Sequence, residues 1–150
     1  MPPRKRIVKL VCFLLLTGCV LGVGLRGAYR GRELQRRLTC ASNLKGIAIS
    51  AKIYAPEWDG ATPVLDWLVA AGQVDPRLLI CPSSESSTSN YVLVPRREGV
   101  PIDDRGVIAY EPKSNHGGEG GNVVFGDGHA EFVLVPEYDK VVKSVSKVDP

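Results

Sequence analysis

The feature that most constrains this chain is an apolar run near its amino terminus. Residues 7–25 read IVKLVCFLLLTGCVLGVGL and contain a single charge, Lys9. A helix of this length extends about 28 Å, which is close to the ~30 Å hydrocarbon core of a bilayer. Lys9 lies near the edge of the run, where its flexible stem lets the ammonium group reach the lipid headgroups. The run therefore predicts one membrane-spanning helix.

Two other interpretations of this run stay open. Leu16-Thr17-Gly18-Cys19 looks like the lipobox of bacterial lipoprotein precursors, whose processing would leave a lipidated Cys19 as the new amino terminus. The residues after Cys19, VLGVGL, are apolar, whereas a mature lipoprotein usually continues with a polar linker. A buried core helix is the second alternative, but the basic residues on both sides of the run favour a membrane.

The distribution of charge separates the chain into two parts. Residues 1–37 contain nine basic residues and one acidic residue, which gives a net charge of +8. Residues 38–150 contain ten basic and fifteen acidic residues, which gives a net charge of −5. Basic flanks around an apolar run are typical of a membrane anchor, and an acidic remainder disfavours a phosphate backbone as ligand. We expect a membrane anchor over residues 1–27, a soluble domain over residues 28–150, and no nucleic-acid partner.

The cysteines indicate the compartment of the soluble domain. Basic residues flank the run about equally on both sides, so the positive-inside rule leaves the orientation undecided. Cys40 and Cys81 are the two cysteines of the soluble part, and an isolated pair suits one disulfide in an oxidising compartment. Two unrelated buried thiols are the alternative. The disulfide interpretation places the soluble domain outside the cytoplasm.

Periodicities after the run predict an α+β domain. One helical face, ending at Pro56, is made by apolar residues at spacings of three and four: Leu34, Leu38, Ala41, Leu44, Ala48, Ala51 and Ala55. A short helix is predicted from a Thr62 cap to Gly72. Strands are predicted over residues 91–94, 107–110, 123–125 and 129–134, and Gly126-Asp127-Gly128 predicts a tight turn between the last two. Residues 137–150 are expected to form an edge strand or a frayed tail.

Both histidines lie beside a glycine-rich segment, residues 117–121, which we call the glycine loop. His116, Glu119, Asp127 and His129 offer the nitrogen and oxygen donors that divalent metals bind, but their spacing matches no closed zinc site. We favour a structural role, in which Asp127 bonds its own turn and an imidazole ties the glycine loop to the hairpin. Hydrolase, phosphate-binding and dinucleotide motifs are absent from the sequence. We therefore expect no enzymatic activity, no metal and no cofactor.

Three segments of the chain carry a further pattern. Residues 36–45 read RRLTCASNLK, and residues 79–82 read LICP. They resemble the RR-x-x-C-x-x-NLK stretch and the Leu-x-Cys-Pro of bacterial pseudopilin-like proteins. Residues 110–129 resemble the family's processing-associated H-x9-DG motif, with His116, Asp127, Gly128 and His129 at the matching positions. In this chain ten residues, rather than nine, separate His116 from Asp127.

The resemblance implies a fold, a location and a class of partners. It implies an amino-terminal transmembrane helix that continues into a long helix packed on a small antiparallel sheet, the pilin-like head. It implies a single-pass protein of the inner membrane with a periplasmic domain, whose partners are other pilin-like subunits or components of type II secretion or type IV pilus machinery. No prepilin cleavage site of the Gly-Phe-Thr-Leu-Ile-Glu type precedes the apolar run. We therefore expect an uncleaved, membrane-tethered relative without catalytic activity.

Overall fold

A computed structural model describes residues 3–58, 62–84, 91–95 and 103–145 of the chain. The chain divides into two compact units, Met1–Gln35 and Arg36–Pro150. Helix α1 runs without interruption over Pro3–Tyr54, which confirms the predicted long helix that stops before Pro56. A 3-10 helix over Ala55–Trp58 follows it, because the proline ring removes a backbone donor and ends the α-helical pattern.

The amino-terminal unit consists of the first part of α1, and its large apolar side chains are exposed. Phe13 is 64% exposed and Leu16 is 67% exposed, values that are costly in water and favourable in lipid. The Thr17 hydroxyl donates to the backbone carbonyls of Phe13 and Leu14, at 3.0 Å each, so its polar group is satisfied within the helix. Among the described residues, α1 is the one helix long and apolar enough to cross a membrane.

The carboxy-terminal unit contains a four-stranded antiparallel sheet in the order β1-β2-β3-β4. The strands are β1 (Val92–Leu93), β2 (Val107–Tyr110), β3 (Gly120–Phe125) and β4 (Ala130–Leu134). The predicted bounds are confirmed for β2 and are one residue off for β4, whereas β1 is shorter than predicted. β3 begins three residues earlier than predicted, because two glycines pair with the end of β4 and glycine is a weak strand signal.

The two faces of the sheet pack against different helices. Val124 pairs with Ala109 and Ala130, and this face packs on Leu44 and Ile47 of α1. Val123 lies on the opposite face, where it forms a second apolar cluster with Val133 and residues of α3 (Glu137–Val145). Side chains alternate along a strand, so Asn122 shares the α1 face with Val124, and Gly121 shares the α3 face with Val123. The residues of β3 are buried from Gly120 to Val124, since both faces are covered.

Two sequence-based predictions, for residues 137–150 and for residues 62–72, are wrong. Residues 137–145 form α3 rather than an edge strand or a frayed tail, because Tyr138, Val141 and Val142 share one helical face that packs on the sheet. Positions 146–150 of the expected tail lie outside the described residues. Helix α2 spans Leu65–Ala70 and so starts later than predicted, because the Thr62 hydroxyl donates to the Val94 carbonyl (3.0 Å) instead of capping a helix.

The predicted disulfide joins Cys40 of α1 to Cys81, which follows a 3-10 helix over Pro76–Leu79. The two Cα atoms are 5.2 Å apart, within the range of disulfide geometry, and both residues are fully buried. The bond closes a loop with a sequence separation of 41 residues. Such a cross-link typically stabilises a domain by about 2–4 kcal/mol, chiefly by restricting the unfolded chain.

Gly121→Ala is expected to destabilise the carboxy-terminal unit by about 1–3 kcal/mol, the usual cost of overpacking. A Cβ atom at this position would lie 2.6 Å from the Glu111 carbonyl oxygen and 2.7 Å from the Tyr138 ring. The measurement is urea unfolding of the full chain in detergent, followed by tryptophan fluorescence.

Gly46→Ala is the matched control for this substitution. Gly46 lies within α1, and an added Cβ would meet nothing within 4 Å. The control is expected to gain about 0.5–1 kcal/mol, because alanine loses less backbone entropy than glycine in a helix. Equal unfolding midpoints for Gly121→Ala and the native chain would contradict the close packing of β3 on α3.

Candidate functional site

Three of the four buried polar residues in the described part of the chain lie together where the sheet packs on residues 36–54 of α1. Glu111 is fully buried, and Asn122 and His116 are 1% and 4% exposed. We call Glu111, His116 and Asn122 the buried polar cluster. Glu111 follows β2, His116 ends a 3-10 helix over Lys113–His116, and Asn122 lies on β3. A chain reversal brings them together, and in it the Glu111 N–H donates to the Asn122 carbonyl at 3.0 Å.

The Glu111 carboxylate is the centre of the buried polar cluster. Its Oε1 atom accepts hydrogen bonds from the Asn122 backbone N–H (2.8 Å) and from the Asn122 side-chain amide. His116 Nε2 lies 3.0 Å from the same oxygen. The Oε2 atom is also buried, and no described residue donates to it. Oε1 therefore binds both Asn122 and His116, whereas Oε2 has no hydrogen-bond donor among the described residues.

Hydrogen bonds join the buried polar cluster to α1 on one face of the sheet and to α3 on the other. The Asn122 Nδ2 atom also donates to the Arg37 backbone carbonyl at 3.1 Å, which joins β3 to α1. From α3, the Tyr138 hydroxyl donates to the Glu111 backbone carbonyl. Burial raises the pKa of Tyr138, and nearby Tyr110 and Glu111 raise it further, so the hydroxyl stays protonated and keeps donating.

Tyr91 is a second buried tyrosine whose pKa is affected by the charge of Glu111. Tyr91, just before β1, is 5% exposed. Burial raises the pKa of its hydroxyl, the charge of Glu111 adds to the rise, and the nearby Asn43 side chain offsets part of it. The hydroxyl itself has no hydrogen-bond partner within the described part of the chain. Tyr91 is therefore a neutral neighbour of the buried polar cluster and supplies no charge to it.

Arg37 connects α1 to the glycine loop above the cluster. Its guanidinium forms an ion pair with Glu119 and lies 4.2 Å from the centre of the Phe132 ring. Phe132 in turn meets the His116 ring edge-on, with centroids 5.4 Å apart. The Glu119 carboxylate is 64% exposed, so the ion pair alone contributes little, and the contact of Arg37 with Phe132 adds to it.

The disulfide borders the buried polar cluster directly. The Cys81 Sγ atom lies 3.7 Å from His116 Nε2. One potential ligand atom from each of Cys40, Cys81, Glu111 and His116 lies within 4.8 Å of the other three. Sulfur, imidazole nitrogen and carboxylate oxygen are the donors that zinc binds in proteins. While the disulfide is formed, the two sulfurs are bonded to each other and are not thiolate ligands.

The structure separates the residues of the sequence-based metal hypothesis. His116 is buried beside the disulfide, whereas Glu119 pairs with Arg37 and the His129 side chain is 50% exposed near the hairpin turn. Within the described part of the chain, the group whose ligand atoms converge contains His116 but none of Glu119, Asp127 and His129. A single site built from those four residues is therefore unsupported.

The hairpin turn has the structural role that the sequence predicts for Asp127. The His129 backbone N–H donates to Asp127 Oδ1 at 2.9 Å, and His129 Nδ1 lies 2.6 Å from the same oxygen. The backbone bond holds the pKa of Asp127 below its ordinary value, and the His129 ring adds to this effect. Gly128 has a φ of +89°, which a glycine adopts without strain. The His129 ring stacks on Phe125, with centroids 4.5 Å apart.

Sequence reasoning missed the roles of Glu111 and Asn122. Glu111 lies between a predicted strand and Pro112, a position where an exposed acid is the ordinary expectation. Asn122 lies next to glycines, which indicated a loop rather than a strand. The alternation of side chains along β3 was the signal that could have located Asn122. Asn122 is two residues before the buried Val124, so its side-chain amide lies on the same face of the sheet, the face that packs on the core.

Asp127→Asn is expected to lower the unfolding free energy slightly at neutral pH and to remove part of its pH dependence. Since the pKa of Asp127 is lower in the native state than its ordinary 3.8, folding favours the ionised carboxylate. This stabilisation is complete above pH 3.8 and is lost as the pH falls through the native pKa. Asparagine keeps the oxygen that accepts from His129, so the turn itself is retained.

The measurement for this prediction is the difference in unfolding midpoint between the native chain and Asp127→Asn, from neutral to acidic pH. We expect the difference to shrink at low pH. Asp104→Asn is the control, because it removes an exposed charge from the neighbouring loop without touching the turn carboxylate. A difference that is independent of pH, or equal in the control, would contradict the role of the Asp127 charge.

The geometry of the site can also be compared with known proteins. No protein-family model, curated protein or solved structure matches the chain.

Proposed function

We propose that this chain is a non-enzymatic, single-pass membrane protein that presents a pilin-like structural or interaction domain outside the cytoplasm. The observation that carries the proposal is the continuity of α1. The exposed apolar residues from Ile7 to Leu25 and the buried residues from Cys40 to Ala51 belong to one helix. An exposed apolar segment followed by a core-packing segment is what a membrane-anchored helical domain requires.

The state of the polar groups supports a structural role over a catalytic one. The side chains of Glu111 and His116 are both fully buried, so a solute of the size of an organic substrate does not reach them without local unfolding. Asp127 and His129 are half exposed, but they bond to each other and support a turn. A catalytic pair needs access to a substrate as well as mutual geometry, and neither pair combines the two.

The three segments of the pseudopilin resemblance converge in space. Cys40 belongs to the segment RRLTCASNLK, Cys81 belongs to the Leu-x-Cys-Pro segment, and His116 opens the H-x-DG segment. These residues form the disulfide and its neighbouring imidazole. The convergence supports the proposal that the segments define one pilin-like head. Under this proposal, the partners are pilin-like subunits or components of type II secretion or type IV pilus machinery.

The disulfide supports an extracytoplasmic location for the domain. Disulfides form and persist in oxidising compartments and are rare in the cytosol. The Cys40–Cys81 bond closes a long loop in the core rather than at an exposed position, which suits a permanent structural bond. We therefore place the amino terminus in the cytoplasm and the head in the periplasm, across the inner membrane.

A topology measurement tests this placement. Ser144 lies at an exposed position of α3, so Ser144→Cys provides a labelling site in a Cys12→Ser, Cys19→Ser background. We expect a membrane-impermeant maleimide to label it once the outer membrane is opened. Lys5→Cys, ahead of the apolar run, is the matched control and should react only after the inner membrane is breached. The opposite pattern would contradict the proposed orientation.

The mature amino terminus distinguishes the proposal from the lipoprotein alternative. We expect an intact mass that retains residues 7–25, even when a prepilin peptidase is co-expressed, because no prepilin cleavage site precedes the apolar run. Intact-mass spectrometry of the purified full chain is the measurement. A chain that begins at a lipidated Cys19 would establish the lipoprotein alternative. A shortened chain with a methylated new terminus would instead show processing of the pilin type.

A further inference from the structure

We propose that the dithiol form of this chain binds one zinc ion through Cys40, Cys81, His116 and Glu111, in place of the disulfide. The proposal starts from the unused oxygen in the buried polar cluster. Glu111 Oε1 is occupied by Asn122 and His116, but Oε2 is buried and no described residue donates to it. A carboxylate oxygen in this state is destabilising unless something binds it, and a cation is the partner that the neighbouring donors favour.

The geometry of the four residues fits one tetrahedral ion. Their potential ligand atoms already lie within 4.8 Å of one another. Zinc bonds of ~2.0–2.3 Å place tetrahedral ligands about 3.3–3.8 Å apart, so side-chain adjustments of about 1 Å complete the site. The four residues lie on different segments. Cys40 lies on α1 and Cys81 in the loop after the 3-10 helix Pro76–Leu79. Glu111 directly follows β2, and His116 ends the 3-10 helix Lys113–His116. The backbone positions are fixed by the sheet and by α1 rather than by the sulfurs alone.

The orientation of His116 also suits coordination. The same Nε2 atom faces both Glu111 Oε1 at 3.0 Å and Cys81 Sγ at 3.7 Å. A zinc ion bound to this nitrogen and to the second carboxylate oxygen, Glu111 Oε2, would leave Oε1 with its hydrogen bonds from Asn122. Two thiolates, one carboxylate and a neutral imidazole around Zn²⁺ carry a net charge of −1, the same as a Cys₃His structural site.

The dithiol arises in one of two ways. A newly made chain carries it before oxidation, and a reductant of the phosphine or dithiol class regenerates it. With a phosphine, the sulfur–sulfur bond takes up two electrons, and water supplies the oxygen of the phosphine oxide and the two thiol protons. Zinc binding then releases those two protons to the solvent, because thiolates are the ligands. The disulfide and the zinc ion are thus alternative cross-links between the same segments.

The test uses the full chain in detergent with Cys12→Ser and Cys19→Ser, which remove the two free cysteines of the apolar run. The chain is reduced with a phosphine without oxygen and titrated with Co²⁺. We expect the visible bands of tetrahedral cobalt and a sulfur-to-cobalt charge-transfer band, saturating at one ion per chain and displaced by Zn²⁺. The oxidised chain should show neither band, and a chelator should leave its melting temperature unchanged.

Substitutions assign the ligands. Glu111→Gln and His116→Ala should each weaken cobalt binding by at least about tenfold, since losing even an outer-sphere partner of a metal ligand has an effect of ~10–100-fold. His129→Ala is the matched control, because it removes the exposed histidine and should leave the affinity unchanged. Equal affinity in all three variants would overturn the proposal, because the metal would then be bound by other groups.

Folding of the reduced chain provides the second readout. If the dithiol chain unfolds without metal, Zn²⁺ should restore its circular dichroism, and a failure to do so overturns the proposal. If the dithiol chain stays folded, the absence of tetrahedral cobalt bands overturns it. The oxidised forms of Glu111→Gln and His116→Ala are checked by circular dichroism, so that loss of binding is separated from loss of fold.

Discussion

The carboxylate of Glu111 is the group on which the packing of this domain depends. Removing a carboxylate from water costs several kcal/mol unless hydrogen bonds replace the lost hydration. Asn122 supplies two donors and His116 Nε2 lies within hydrogen-bonding distance of the same oxygen, so three contacts fix the chain between β2 and β3. The Asn122 side-chain amide also donates to the Arg37 backbone carbonyl, and this hydrogen bond attaches β3 to α1. The position of the glycine loop and the packing of the sheet on the helix therefore follow from one buried carboxyl group.

The disulfide and the buried polar cluster stabilise the same junction by different physical means. The covalent bond restricts the unfolded chain, whereas the hydrogen bonds satisfy polar groups in the folded one. Cys81 Sγ lies 3.7 Å from His116 Nε2, so neither can rearrange without disturbing the other. Reduction alone would place two thiols beside an imidazole and an unsatisfied carboxylate oxygen. That is why the redox state of the cysteines and the chemistry of the cluster have to be considered together.

The sequence predicted the elements that local pattern determines. The end of α1 follows from Pro56, β2 follows from its apolar run, and the hairpin turn follows from Asp127 and Gly128. The sequence could not show that Glu111 is buried, because burial depends on how β2, β3 and α1 meet. Helix α3 was missed although its apolar residues Tyr138, Val141, Val142 and Val145 recur at spacings of three and four, which is a helical rather than a strand pattern. The pairing of Cys40 with Cys81 was predictable because the soluble part offers one pair, but their position beside His116 was not.

Ten residues separate His116 of the buried polar cluster from Asp127 of the hairpin turn. The ten intervening residues comprise a loop over 117–119, the six residues of β3, and Gly126. The pairing of Gly120 with Leu134 and of Val124 with Ala130 fixes the length of β3, and the tight turn fixes Gly126. The loop is the stretch whose length the sheet does not fix, and in it Gly117 and Gly118 both have positive φ and reverse the chain without strain. The Glu119 N–H donates to the His116 carbonyl (3.3 Å), which holds the loop next to the cluster, whereas Asp127 is held separately by its bond within the turn.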